Sequence, residues 1–340
     1  MKRFLLILLC ATLLPILPAL PAGNKKEERV DGYLEWRRGG IIVADGQRIL
    51  TETSTKFKGA GDATDPSRVP LGYELKVKGV RLPDGVILAS EMEAKPNSTA
   101  LFEKEVLVLT NDMEKRWVKA GHVLEELSPG KSQDLGKLYR DGVSVDRVRR
   151  VTARLVPPYL KSSGFRVYII ENKDWNAFAC ANGMIAVHSA LLSDMNDDEM
   201  AIVLGHELVH ATHEHTRREF KRGMFMELMM LGITAGVEVA LDDSKKKTKA
   251  AVEILSTLGL MAWKNGYGRD LEDQADRVGL RYAYEARYDV RIAPRLWRRF
   301  AEKYGDGNKV VNFFFGDHSL SKARAANLER EIAPNYSSQP

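Results

Sequence analysis

One pentapeptide constrains this chain more than any other feature: His206-Glu207-Leu208-Val209-His210, set in an otherwise apolar stretch. Met200, Ile202, Val203, Leu204, Leu208 and Val209 surround it, and the polar run Ser193-Asp194 to Asp197-Asp198 can cap a helix. One long helix is therefore expected from there to His215. Residues four apart on a helix differ by about 40° around its axis. His206 and His210 thus project from one face, one turn apart, and can hold one metal ion through their imidazoles. Glu207 lies about 100° round, beside the ligands, where its carboxylate can act as a base on water at the metal. Polar groups left without partners on a buried helix would cost free energy, and a metal ion removes that cost. The pattern arises by chance roughly once in a hundred chains of this length. It predicts one Zn2+ per chain, acidifying water and polarising a peptide carbonyl.

A catalytic zinc site also needs a third protein ligand and an open position. Glu219, Glu227, Glu238 and Glu272 are downstream candidates. In short-link zinc peptidases this ligand follows the second histidine by about 19 or 20 residues. Here that spacing lands on Met229 or Met230, so the short-link layout is excluded. Glu272 and Asp276 would share a helix face one turn apart, but a bare Glu-x-x-x-Asp carries no weight alone. His213 and His215 would stand about 200° apart on the same helix and cannot share an ion. His122, His188 and Cys180 read as ordinary structural residues.

The segments around the motif suggest an α+β chain: a small all-β, OB-like barrel at 30–96, then a mainly helical domain with a small sheet at 99–332. In the first part Tyr73, Leu75 and Val77 alternate with polar residues, as in a half-buried strand. Arg38-Gly39-Gly40, Asp45-Gly46 and Pro83-Asp84-Gly85 are turn signals. Five or six short strands are expected. Ser98 or Thr99 is placed to cap the next helix. Val145, Val148, Thr152 and Leu155 follow helical spacing up to Pro157-Pro158. Runs at 165–170, 178–180 and 184–188 read as strands, the last two joined at Asn182-Gly183.

Taken in order, these features resemble the M48 metallopeptidase family. The resemblance rests on His-Glu-Leu-Val-His with the farther His215, on Arg269, Glu272, Ala275 and Asp276, on Asn176 to Ala179 with Asn182-Gly183, and on the Asp317-His318 to Arg324 block. Ser319 stands where the family's last block has proline. The resemblance implies zinc on His206, His210 and Glu272, and Asp276 orienting a ligand histidine. It implies His318 as a catalytic group at the tetrahedral oxyanion. It also implies an edge strand around 181–188, with Asn182 and Gly183, that pairs with extended substrate, and Arg324 holding its loop or the substrate. The activity implied is endopeptidase action on misfolded or unassembled envelope proteins. The alternative is a zinc-containing assembly factor with gated proteolysis.

The amino terminus bears on location. Lys2-Arg3, the apolar run Phe4 to Leu14, and small residues near Ala19 and Ala22 have the layout of a secretory signal over 1–22. Pro15, Pro18 and Pro21 interrupt it, which favours cleavage and a periplasmic or secreted protein over a membrane anchor. Loss of Lys2 and Arg3 would leave 49 basic and 46 acidic side chains, a net +3. That balance is too even to argue for nucleic acid. Cys180 would then be the one cysteine, with no intrachain disulfide to form. The apolar 224–241 segment, interrupted by Glu227 and Glu238, is expected to pack beside the cleft, with contact to a membrane surface as the alternative. Protein or peptide substrates are the expected partners; oligomeric state is not encoded in any motif.

Overall fold

The computed structural model describes residues 27–100, 102–128, 131–161, 164–230, 267–304 and 321–336. The expected signal at 1–22, residues 231–241 of the apolar segment and His318 lie outside them. Within these residues the chain forms eight α-helices and two sheets.

The first sheet is built from β1 (Glu27–Arg38), β2 (Ile41–Ala44), β3 (Gln47–Leu50), β4 (Lys56–Gly59), β5 (Glu74–Arg81) and β6 (Ile87–Lys95). Its order is β3-β2-β1-β5-β6-β4, and β3 also pairs in parallel with β6 through Ile49 and Leu50. Alternation in β5 works as expected: Leu75 and Val77 are buried while Lys76 between them is exposed. At the β2–β3 turn Asp45 and Gly46 both take positive φ, 45° and 76°, the conformation that two-residue hairpins favour.

The second sheet and the helices follow in the order α1 (Leu107–Ala120), β7 (His122–Ser128), β8 (Lys131–Tyr139), α2 (Val143–Leu155), β9 (Arg166–Ile170), β10 (Ala177–Ala179), β11 (Met184–His188), α3 (Ser189–Asp194), α4 (Asp197–Thr212), α5 (His215–Met230), α6 (Arg269–Glu285), α7 (Ala293–Tyr304) and α8 (Ser321–Asn335). Thr99 accepts from the Phe102 N–H at 3.1 Å, starting the first helical segment. Val145, Val148, Thr152 and Leu155 are all buried on α2. The hairpin β7–β8 is an element for which the sequence suggested no strand. Its strands hold many charged residues and show weak alternation, so they lack the period-two signal of a half-buried strand.

Two further expectations need correction. The sheet order is β10-β11-β9-β8-β7, so β11 is interior, antiparallel to β10 and parallel to β9. The edge strands among the described residues are β10, beside β11, and β7 at the far side. The motif helix also stops at Thr212 rather than running on to His215: Glu214 takes a left-handed φ of 56° and α5 begins at His215. The Glu214 carboxylate accepts from both the backbone and side-chain amides of Asn97, at 2.9 and 2.8 Å, which fixes that corner.

α4 starts at Asn196, whose side chain accepts from the Glu199 N–H while the Glu199 carboxylate accepts from the Asn196 N–H, a reciprocal capping box. It crosses α6 at a glycine pair. A Cβ on Gly205 would lie 2.7 Å from the Gly279 carbonyl oxygen, and one on Gly279 would lie 2.6 Å from the His206 nitrogen. The two backbones meet where side chains would hold them apart, and this brings the acidic face of α6 onto the histidine face of α4. One buried apolar cluster runs from Val30, Leu34 and Leu75 of the first sheet through Leu204, Leu208 and Val209 to Leu280 and Trp297. No helix among the described residues is long and apolar enough to cross a membrane.

Candidate metal centre

α4 presents His206, Glu207 and His210, and α6 presents Glu272 and Asp276; all five side chains are buried. His206 Nε2 and His210 Nε2 are 3.0 Å apart. Glu272 places Oε2 3.4 Å from His206 Nε2 and Oε1 3.5 Å from His210 Nε2. His206, His210 and Glu272 also form a group able to hold a metal ion among the described residues. An ion bonded at about 2.1 Å to tetrahedral ligands sets them about 3.4 Å apart. Spacings of 3.0 to 3.5 Å between the two nitrogens and the nearer Glu272 oxygens therefore suit such a coordination polyhedron.

The opposite edges of the two imidazoles fix which nitrogens face the ion. Asp276 Oδ1 lies 2.9 Å from His206 Nδ1. Arg324, from α8, forks onto the same carboxylate, Nε to Oδ2 at 2.8 Å and Nη2 to Oδ1 at 2.6 Å. Its Nη2 is also 3.0 Å from His206 Nδ1. The carboxylate only accepts, so His206 donates from Nδ1 to Asp276, which leaves Nε2 as the nitrogen on the Glu272 and His210 side that would face an ion. Burial would raise the Asp276 carboxyl, but Arg324 and His206 outweigh it and hold the group below its usual range. Burial and Arg324 press His206 toward neutrality, yet Asp276 and Glu272 lift it to about 9. The carboxylates thus favour positive charge at this point, as a metal site requires.

His210 is held differently. Its Nδ1 lies 2.9 Å from His215 Nδ1, and Tyr267 stacks on its ring at 3.9 Å and 12°. Glu207 follows His206 on the helix, and its charge is felt by Cys180 after β10, by Tyr267 and by Arg324. The Cys180 thiol is pushed up by burial, which leaves it inert as a nucleophile.

Three residues expected at the substrate have other partners. Asn182 donates to Asn111 and Glu114, at 3.1 and 2.7 Å, and accepts from the Met184 N–H. Gly183 takes φ +83° in the β10–β11 turn, with the Gly164 carbonyl 2.4 Å from where a Cβ would stand. Neither residue lies on the sheet edge. Arg324 is buried, stacked on Trp297 at 3.6 Å and paired with Asp276, which sets its guanidinium against the candidate metal centre. Sequence reasoning missed Gln274, although it lies inside the Glu272–Asp276 block. It also missed Glu35, a lone acid between Leu34 and Trp36 whose one signal was a charge among apolar strand residues.

A helix offering His-Glu-x-x-His and a second helix offering the third carboxylate define a metallopeptidase centre. The chain belongs to Peptidase family M48, whose sequence model matches residues 145–332. It is 29% identical over 179 residues to the mitochondrial metalloendopeptidase OMA1 of Bos taurus, covering 52% of this chain and 34% of that protein. Against the beta-barrel assembly-enhancing protease of Yersinia pestis it is 25% identical over 183 residues, 52% of this chain and 37% of the other. Against the metalloprotease YcaL of Escherichia coli (strain K12) it is 35% identical over 169 residues, 50% and 62% respectively. The chain thus spans about a third of the length of the first two of these relatives.

Proposed function

We propose that this chain is a zinc-dependent endopeptidase acting on protein substrates, with Glu207 as the general base. The observation that carries this reading is the His206–His210–Glu272 group, in which the two Nε2 atoms are 3.0 Å apart and the two Glu272 oxygens lie 3.4 Å from His206 Nε2 and 3.5 Å from His210 Nε2. Two imidazoles and one carboxylate suit zinc and leave its fourth position open. When bound, zinc would supply Lewis acidity, acidifying water and polarising the scissile carbonyl. Glu207 would take the proton of the attacking water and pass it to the departing amine nitrogen. Asp276 and His215 would keep the two imidazoles oriented meanwhile. His318 is proposed as a donor to the developing oxyanion, on its place six residues before Arg324 in the sequence.

The strand proposed for substrate is β10. Among the described residues no strand pairs with its outer edge, so an extended peptide could add there through main-chain hydrogen bonds. The β3–β6 pairing supports reading the first sheet as a small barrel. The secretory layout of 1–22 supports a place outside the cytoplasm, and the name of the Yersinia relative supports substrates among unassembled envelope proteins. Contact with a membrane surface through 224–241 is proposed on its apolar composition.

The test is cleavage of casein by purified protein alongside its zinc content. One zinc per chain is expected. Glu207→Gln should keep that zinc and lose activity by about 10²- to 10⁴-fold. Cleavage unchanged in Glu207→Gln, or a wild type that binds no zinc, would overturn the assignment.

A further inference from the structure

A hydrogen-bond chain leaves the metal centre through His210 and ends in the first sheet. His210 Nδ1 meets His215 Nδ1 at 2.9 Å. His215 Nε2 meets Gln274 Oε1 at 3.0 Å. The amide nitrogen of Gln274 donates to Glu35 Oε1 at 3.1 Å. All four side chains are buried, none more than 3% exposed. Glu35 lies on β1, far outside the 145–332 family match.

The polarity of the chain follows from its last member. Glu35 is a carboxylate paired with Arg277 at 2.6 and 3.0 Å, and it can only accept. Gln274 must therefore turn its NH₂ toward Glu35 and its oxygen the other way. That oxygen accepts from Arg218 Nη1 at 2.6 Å and from the His215 Nε2–H. His215 then presents a bare Nδ1, which accepts from the His210 Nδ1–H and directs the other nitrogen of His210 at the metal. Flipping the amide would set its NH₂ against the Arg218 donor and its oxygen against the carboxylate, so one orientation satisfies every member.

The backbone is shaped to deliver this acid. β1 has a bulge at Glu35: Leu34 faces Ala44 and Trp36 faces Val43, leaving Glu35 as the extra residue. Bulges re-aim single side chains, and this one sends an ionised group inward to α6. Other contacts dock the sheet without touching the chain, such as Arg281 stacked on Trp36 at 3.6 Å.

We propose that Glu35 is a positioning residue for the metal ligand His210, acting through Gln274 and His215, so that the metal centre is fully oriented only with the first sheet docked. This rests on the zinc reading given above. Partners of ligand histidines typically change metal affinity by about 10- to 100-fold when removed.

The experiment measures zinc affinity of the full chain by competition with a chromophoric chelator, and the visible spectrum of the cobalt(II)-substituted protein. Gln274→Leu, which preserves volume, and Glu35→Ala are each expected to weaken zinc binding about 10- to 100-fold and to alter the cobalt spectrum. Arg281→Ala, which loosens docking only, is expected to stay within about twofold. If Glu35→Ala does not fold, Gln274→Leu decides. Folded variants with wild-type affinity and an unchanged cobalt spectrum would overturn the proposal, as would an equal loss in Arg281→Ala. A wild type without zinc would overturn the zinc reading as well, which keeps the two failures distinct.

Discussion

The two histidines of the candidate centre are held by different kinds of support. His206 is braced from within the family-matched region, by a carboxylate that is itself clamped by a buried arginine. His210 is braced by neutral groups, a histidine and an amide, and the amide is in turn held between the Arg218 guanidinium and the Glu35 carboxylate of the other sheet. A local charge pair is strong and self-contained, since hydrogen bonds to ionised groups exceed neutral ones roughly twofold. A neutral relay is weaker at each link but couples the site to whatever anchors its far end. The same α4 thus carries one ligand fixed from within the family-matched residues and one answerable to the first sheet as well.

Removing the local support should give the largest effect. In Asp276→Leu, Arg324 would keep its charge at 2% exposure with its bidentate partner gone and only the Glu272 carboxylate, at 3.7 Å, left beside it. Breaking a buried pair in this way typically costs about 3–5 kcal/mol, and zinc affinity should fall as well. Denaturant unfolding of the zinc-free chain checks the first part. A loss below about 1 kcal/mol would mean that Arg324 finds other partners and that the contrast with His210 is overstated.

The next effect comes from the crossing that both supports share. Gly279→Ala would put a methyl 2.6 Å from the His206 nitrogen, and overpacking of this kind costs up to about 3 kcal/mol. Because α6 carries Asp276 and Gln274 alike, zinc affinity should fall through both histidines. Measured with Gln274→Leu in a double-mutant cycle, the two losses should fail to add. Full additivity would show that the helix crossing does not set the relay.

Much of this centre was legible in the sequence because its logic is local. The four-residue spacing of His206 and His210 needs only helical geometry, and Asn196 falls inside the polar run expected to cap the helix. Alternation in β5 and the glycine turns of the first sheet were equally local signals. The β7–β8 hairpin was not legible, since charged strands with little alternation resemble solvated helix. The place of β11 inside its sheet depends on pairing with β9, which no local pattern encodes. The Glu35–Gln274 link joins residues 239 apart. Nothing in either neighbourhood foretells it, because the bulge that aims Glu35 is a property of the paired strands.

The smallest expected effect probes the interface itself through acidity. His213 ends α4, is fully buried, and donates from Nε2 to the Glu35 carbonyl at 2.7 Å. Burial, against the weaker pull of that carbonyl and the Glu35 charge, lowers its imidazole to about 4. On acidification the unfolded chain takes a proton near its ordinary value of 6.5, while the folded chain resists until about 4. Unfolding therefore binds protons across this window, and stability must fall as pH drops through it. His188, lowered to about 4 by burial in β11, adds the same sign. His213 alone should contribute a loss of about 2 kcal/mol between pH 7 and pH 5. Comparing the zinc-free wild type with His213→Asn isolates this share, because His188 and the metal ligands titrate alike in both. The variant should show a pH dependence flatter by that amount. Parallel curves would mean that protonated His213 is tolerated at the sheet contact, and the His210 side would then be no more sensitive to acid than the Asp276 side.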